Sequence, residues 1–523
     1  MGAFLLSKYI LYKEGDEKVK EICVVIFVLM MIGVGVYSKK KVRSSNDFLL
    51  GGRNMGGWVS AFAYGTSYFS AVIFIGYAGA QGWEFGVPIT WIGICNAIFG
   101  CFLAWKILAK KTRDMTQRLD ARTMPEFFEK RYDSKPMKLV SALIIFIFLV
   151  PYTASVYKGL GYILTSSFNI DFNLAIFFMA LLTAVYLLLG GYVATAINDL
   201  IQGVIMLVGC ICMVVFVVNH PDVGGLSKGL SQLKQIDPSL TAVFSGGDKT
   251  LPLIGLILMT SFGVWGLPQM IHKYYAIKDD DAIKKGTIIA SIFALVIGGS
   301  AYFTGSLGRL FFIDPATGTA VMPGATVAAP DSGMADVIIP TMLERALPDA
   351  LMGIIIVLIL SASMSTLASL VLVSSSTISI DFIKGFVKEN ISDKAMMILM
   401  RILCFIFVGI SYVLAISGPS TIVSLMSLSW GVISGMFLGP YVWGIWWKKT
   451  TKIGAWSGMI GGGLMMSIGT ILSNKGLLQQ GLTSPVISSL AMIISCVSVP
   501  LVSLVTTQMN EHYVAKVFDE TIE

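Results

Sequence analysis

The sequence predicts an all-α polytopic membrane protein of about 13 transmembrane helices. Three observations predict it. Charge is scarce: Asp, Glu, Lys and Arg make up 13% of the 523 residues, against about 25% in an ordinary globular chain. Apolar side chains reach 55% and mean hydropathy is +0.77, more apolar surface than soluble cores can bury. The basic residues sit in the gaps between apolar stretches, alternately dense and sparse. The same composition excludes an ordinary soluble enzyme, a disordered chain and a collagen-like one. The 53 glycines fit, since glycine is commoner in membrane helices than in soluble ones.

A net charge of +7 points to nucleic acid only when cations cluster on one soluble face. Here they lie in loops, so the expected partner is the lipid bilayer and no nucleic acid. All seven cysteines fall inside apolar runs and read as buried apolar side chains. No CxxC pair exists and the three histidines are scattered, so a zinc or haem site has no support and no organic cofactor is expected.

A membrane span needs about 20 apolar residues. Helix one is read at 18–38. It lacks a small-residue cleavage site and is followed by Lys39-Lys40-Lys41, so it reads as a retained helix rather than a signal peptide. Helices two to six are 57–80, 86–109, 137–165, 172–189 and 192–218. A Gly/Pro/Asp-rich loop, 219–249, leads to helix seven at 250–272 and helix eight at 285–313. The loop 314–347 carries a short helix near Ile338–Arg345. Helices nine to thirteen are 348–380, 396–417, 420–446, 453–473 and 485–507. With the N-terminus outside, the cytoplasmic segments hold 26 of the 38 Lys and Arg, including Lys39, Lys40, Lys41, Arg43 and Arg53. The extracellular segments hold nine, and Lys106, Lys158 and Arg309 lie within helices. That bias puts the C-terminus in the cytoplasm of a plasma-membrane protein. Residues 1–523 form one membrane transport domain.

Polar groups at membrane depth are costly and are kept where they line a site or cavity. Helix two carries Tyr64, Thr66, Ser67, Tyr68 and Ser70 around Gly65. Such a run either packs closely through small residues or unwinds and offers carbonyls to a cation. Helix seven carries Gly263, Gly266 and Pro268, which make an unbroken helix unfavourable. Helix nine places Ser365 next to Thr366, two hard oxygen donors that can also bond back to their own helix. Helices two and seven are five segments apart and cross in opposite directions. Residues 57–218 and 250–446 then form two inverted five-helix units, each opening with an interrupted helix, flanked by helix one and by 453–507. That is the arrangement of secondary transporters, with the site at the repeat interface. Neutral carbonyls from helix two and hydroxyls from helix nine suit sodium, which would tie two moving parts together and so bias their equilibrium.

At these residues the chain resembles the sodium/solute symporter family over roughly residues 22–505. The carriers are Phe48-Leu49-Leu50-Gly51-Gly52-Arg53-Asn54-Met55-Gly56-Gly57, the helix-two run, Gly190-Gly191-Tyr192 leading to Asn198-Asp199-Leu200-Ile201-Gln202-Gly203, and Met364-Ser365-Thr366. The resemblance implies a leucine-transporter-like core of helices two to eleven. It implies a sodium site of the Thr66, Phe69 and Ala362 carbonyls with the Ser365 and Thr366 hydroxyls. Asp199 matches the family's helix-six acid near the cytoplasmic exit, on the cation path; it equally reads as an interfacial carboxylate favoured by its helix dipole.

The resemblance also bears on the solute. Where sugar symporters follow the helix-two motif with a polar amide, this chain has Ile73. Where proline carriers have an aspartate, it has Tyr68, and their helix-seven aromatics fall at Thr260 and Val264. The run Phe262-Gly263-Val264-Trp265-Gly266-Leu267-Pro268 is most similar to the pantothenate carriers, as are Asn198-Asp199 with Gln202-Gly203 and Ile236-Asp237-Pro238. The expected activity is therefore sodium-coupled import of a small organic solute, a pantothenate-like or monocarboxylate anion, by alternating access. The alternative within the family is a proline or other amino-acid symporter. Candidate solute contacts are Tyr68, Ser70, Ile73, Phe262, Trp265 and Gln269. Lys158, deep in helix four, either binds the solute's carboxylate, stands near the cation path, or snorkels or pairs with a buried acid. A transporter-like sensor or a channel is the rival class, though the tail after residue 507 is too short for a signalling domain. A membrane enzyme would need a nucleophile–base pair or metal cluster, and neither is visible.

Overall fold

Backbone polar groups at membrane depth must be satisfied within the chain, so the apolar stretches wind into helices. The computed structural model describes residues 2–39, 44–331, 333–388, 390–418, 420–477 and 481–518; Lys40, Lys41 and Arg43 of the first basic run lie outside them. Among the described residues, eleven helices are long and apolar enough to span a membrane: Lys18–Ser38, Val87–Arg118, Lys135–Phe168, Gly191–Asn219, Gly247–Tyr275, Asp280–Phe312, Asp349–Val387, Asp393–Ser417, Ile422–Trp446, Lys452–Ser473 and Ser484–Val505. Helix two is the bent pair Gly57–Tyr68 and Val72–Phe85, whose halves meet at 45°. Helix five is the shorter apolar stretch Phe172–Val185. Each expected segment thus has a counterpart. Several run past their expected ends, helix three to Arg118 and helix nine to Val387. An apolar window detects only the part matched to hydrocarbon, and winding continues into the polar flanks.

Helices five and six are continuous in winding except at Gly191, with φ 51° and ψ −147°. A Cβ there would lie 2.5 Å from the Phe48 ring and 2.8 Å from the Phe48 carbonyl oxygen, so only glycine fits. Gly51 is also left-handed, and a Cβ there would sit 3.2 Å from Tyr192. The Phe48–Gly57 motif and the Gly190-Gly191-Tyr192 motif are thus two sides of one contact. The same segment is stitched to the chain leaving helix seven: the Met55 N–H donates to the Ala276 carbonyl and the Lys278 N–H to the Met55 carbonyl, each at 3.0 Å.

Of the eleven single spans helix nine is the most enclosed, with 89% of its central window buried, followed by helix eleven at 83% and helix seven at 72%. Helix one, at 17%, packs on the outside. The expected loop helix is present as Ile338–Ala346. A second loop helix, Leu226–Ile236, was not anticipated. Its signal is the Leu226, Leu230, Leu233 stripe at helical spacing, too short to stand out in a polar loop.

Candidate cation and solute site

The first half of helix two ends at Tyr68, and Phe69 turns to extended backbone with φ −107° and ψ 110°. The second half restarts at Val72. A gap in a membrane helix leaves backbone donors that need partners. Here the Ala71 N–H donates to the Ser363 hydroxyl of helix nine at 3.1 Å, and the Val72 N–H to the Ser70 hydroxyl at 3.2 Å. The interruption is therefore held open by helix nine. Helix seven breaks as its glycines and Pro268 require: one segment ends at Gly263 and the next runs Pro268–Tyr275.

Opposite the break, helix nine is unbroken through Ser365 and Thr366. Thr366 Oγ1 lies 3.1 Å from the Ala362 carbonyl oxygen and 3.3 Å from each of the Thr66 and Ser67 carbonyl oxygens. One hydroxyl proton cannot serve three carbonyls, so the cluster is rich in acceptors and poor in donors. The Ser365 hydroxyl donates to Thr66 Oγ1 at 2.7 Å, and Thr66 Oγ1 donates onward to the Phe62 carbonyl at 2.8 Å. All of these residues are buried. Thr66, Ala362, Ser365 and Thr366 are thus brought together. Phe69, the fifth sequence candidate, sits at the break three residues along, and Ser67 joins the cluster through its carbonyl. The oxygens gathered around Thr366 are buried and neutral, which suits a monovalent cation rather than a divalent one.

Tyr68 and Ser70 flank the break. The Tyr68 phenol donates to the Thr260 carbonyl of helix seven at 2.7 Å, and its ring faces Trp430 of helix eleven, 6.4 Å between centroids. Tyr152 of helix four meets Trp430 edge-on at 5.8 Å and directs its hydroxyl toward Ser70. The buried Trp430 Nε1 lies beside the same Tyr152 hydroxyl. Ile73 is buried one turn beyond Ser70. Phe262 and Trp265 pack on helix three instead: Phe262 stacks on Phe99 at 5.4 Å and Trp265 Nε1 donates to the Phe99 carbonyl at 3.0 Å. Both polar ends of the buried Gln269 amide lack partners among the described residues. The sequence reading missed Tyr152 and Trp430. For Trp430 the signal was Ser427-Leu428-Ser429-Trp430-Gly431, a polar run in helix eleven like the one in helix two.

The Lys158 backbone lies beside the break, since its neighbour Gly159 packs on Ala71. Its ammonium, however, donates to the Gly418 and Ser420 carbonyls at 2.5 and 2.7 Å, just before helix eleven. Asp336, in the loop before helix nine, accepts from the Ile422 N–H at 3.3 Å. Burial pushes the Asp336 carboxyl above the usual carboxylate range, opposed by the Ile422 N–H and by the Lys158 charge. A cavity of about 250 Å³ opens beside it, between Gln81, Glu84, Asp336, Ser424 and Ser427. Lys158 thus has two backbone carbonyl partners and a buried acid in its surroundings.

Asp199 is fully buried near the start of helix six. Its Oδ2 accepts from the Lys273 ammonium at 3.3 Å, and Ser365 stands beside the same carboxylate. Lys273 escaped the sequence reading because it lies one residue past the expected end of helix seven. Its signal was position: the fifth residue after Pro268, flanked by His272, Tyr274 and Tyr275 rather than by other cations.

A family model described as the sodium:solute symporter family matches residues 48–462. The osmoregulated proline transporter OpuE of Bacillus subtilis is 29% identical over 442 residues, 84% of this chain and 86% of that protein. A sodium/proline symporter of Staphylococcus aureus is 27% identical over 456 residues, 86% of this chain and 85% of that protein. Among solved structures, a Na+-coupled sialic acid symporter in a substrate-bound outward-open state matches with a TM-score of 0.75 at 19% identity, covering 94% of this chain and 99% of that one. At that identity the likeness is one of fold, and the fold is the leucine-transporter-like, five-plus-five inverted-repeat core.

Proposed function

The chain belongs to the sodium:solute symporter family, and we propose that it imports proline or a closely related amino acid by coupling its entry to sodium. Its relatives are transporters, and sodium is the coupling ion of the family. The solute reading moves with the relatives: a pantothenate-like carboxylate gives way to the proline alternative, because both relatives described above carry proline in their names.

The observation that carries the proposal is the acceptor-rich cluster joining helix two to helix nine. Sodium takes the Thr66, Phe69 and Ala362 carbonyls with the Ser365 and Thr366 hydroxyls, and so ties the two helices together. The solute binds beside it, over the break. The Tyr68, Tyr152 and Trp430 rings offer faces to a pyrrolidinium ring, and the Trp430 N–H and the Ser70 and Tyr152 hydroxyls offer donors to its carboxylate. Residues 57–218 and 250–446 then rock against each other, and the cation leaves past Asp199. The N-terminus faces outward and the C-terminus the cytoplasm, with the Lys/Arg-rich loops inside. No covalent chemistry and no organic cofactor take part.

The test is uptake into proteoliposomes of labelled L-proline, pantothenate, a short monocarboxylate and a sugar, with and without an inward sodium gradient. Sodium-driven proline uptake is expected. Uptake indifferent to sodium would sink the symport reading. Sodium-driven pantothenate uptake without proline uptake would overturn the solute.

A further inference from the structure

The inner halves of helices six and seven hold a cluster of buried polar groups of which the transport cycle above uses Asp199 alone. Asp199 and Lys273 form an ion pair with side chains 0% and 2% exposed. The Lys273 ammonium also lies over the Tyr192 ring at 5.4 Å. Asp199 Oδ1 and His272 Nε2, beside the pair, and both amide ends of the neighbouring Asn198 are buried without hydrogen-bond partners among the described residues. Orphaned polar atoms at this density are costly in a finished core. They are tolerable in a seam that opens to water in another state.

The pair joins the two five-helix units. Asp199 belongs to helix six, the last helix of the first five-helix unit. Lys273 belongs to Pro268–Tyr275, the eight-residue inner segment of helix seven, which opens the second unit. That segment is joined to the rest of helix seven only by the turn Val264–Leu267, where the Gly266 N–H donates to the Gly263 carbonyl at 3.0 Å. Gly263 and Gly266 give this turn its freedom, and Pro268 fixes where the inner segment restarts.

We propose that Lys273 is a latch: its ion pair with Asp199 holds the inner segment of helix seven against helix six and keeps the cytoplasmic path shut. The trigger follows from Ser365, which stands beside the Asp199 carboxylate and also belongs to the cation cluster. A sodium ion stepping off Ser365 toward the free Asp199 Oδ1 competes with the ammonium for one carboxylate. Lys273 is released, the segment swings at its glycine turn, and water reaches the orphaned groups. Cation release and opening of the exit are then one event. Lys273 acts here as a positioning residue and touches neither solute nor sodium. The trigger, though not the latch, rests on the sodium site proposed above.

Hydrogen–deuterium exchange of the full-length protein in detergent, in sodium and in potassium without solute, separates the two claims. Lys273→Met should raise exchange across residues 268–275 by about tenfold in both salts, and Lys273→Arg should restore protection. In proteoliposomes, Lys273→Met should raise the external sodium needed for half-maximal proline uptake by about tenfold. Should the lone buried carboxylate stop Lys273→Met from folding, Asp199→Asn/Lys273→Met removes both charges, and the same rise in exchange is expected. Exchange at 268–275 unchanged in both salts in a folded neutral variant would overturn the latch. Absence of sodium protection at residues 62–70 and 361–369 in the unsubstituted protein would instead count against the sodium site and leave the latch standing or falling on 268–275 alone.

Discussion

At the scale of single residues, the Thr366 hydroxyl carries the most consequence. It lies among three carbonyl oxygens from two helices, and as a ligand it would contribute an oxygen where the chain supplies no charge. Thr366→Val keeps the shape and removes that oxygen. A lost buried polar interaction costs about 1–3 kcal/mol, so half-maximal sodium should rise by roughly 5- to 150-fold while the thermal midpoint moves little. Thr366→Ser should recover most of the loss. Sodium titration of proline uptake checks both, and a valine variant with unchanged sodium dependence would remove Thr366 from the site. This hydroxyl pair was legible in the sequence because two adjacent oxygen donors stand out in an apolar run. Trp430 and Tyr152 were not, because an aromatic in an apolar helix looks like any core residue until its neighbours are known. The motif of Phe262 and Trp265 placed them beside a break, but only the fold shows that they face Phe99 on helix three.

At the scale of elements, the breaks in helices two and seven were readable from glycine, proline and hydroxyl density, since those residues weaken a helix wherever they occur. The partners of the breaks were not, because side chains 300 residues apart meet only in the fold. Gly65 shows what such a contact demands. It packs on helix eight so closely that a Cβ would lie 2.4 Å from Phe293 Cδ1 and 2.8 Å from Cε1. Helix two opens the first five-helix unit and helix eight belongs to the second, so their spacing sets how the units meet beside the cation cluster. Gly65→Ala should therefore push the helices apart and destabilise the protein by about 1–3 kcal/mol, the usual cost of overpacking. Gly65→Ala/Phe293→Leu should recover much of that, because the smaller side chain makes room. Additive losses in the double variant, measured as thermal midpoints in detergent, would show that the ring is not what glycine accommodates. Gly191 invites the same argument with a stricter outcome: its φ of 51° and ψ of −147° leave no place for alanine whatever Phe48 does, so Gly191→Ala/Phe48→Leu should stay destabilised.

At the scale of the whole molecule, scarcity of charge makes topology a matter of where the few charges lie. Of 38 Lys and Arg, 26 belong to the segments the sequence assigns to one side of the membrane and nine to those it assigns to the other. The basic side also holds the ion pairs that tie loops to helices, such as Arg122 with Glu126 at 3.0 Å and Lys138 with Glu129 at 2.8 Å. The opposite side carries the cavity beside Asp336 and the long loops with Leu226–Ile236 and Ile338–Ala346. Basic residues near span ends resist translocation, so the basic side should be cytoplasmic. An odd number of spans then puts the two ends on opposite faces, with the N-terminus outside. Protease-cleavable tags at either end give the check. In right-side-out vesicles the N-terminal tag should be cut and the C-terminal tag protected until the membrane is permeabilised, with inside-out vesicles giving the reverse. Cleavage of both tags from one side would require an even number of spans and would overturn the count of thirteen. Cleavage of the C-terminal tag alone in right-side-out vesicles would keep the helix count but reverse the molecule, turning the Asp336 cavity into the cytoplasmic mouth and the Lys273 latch into an outer one.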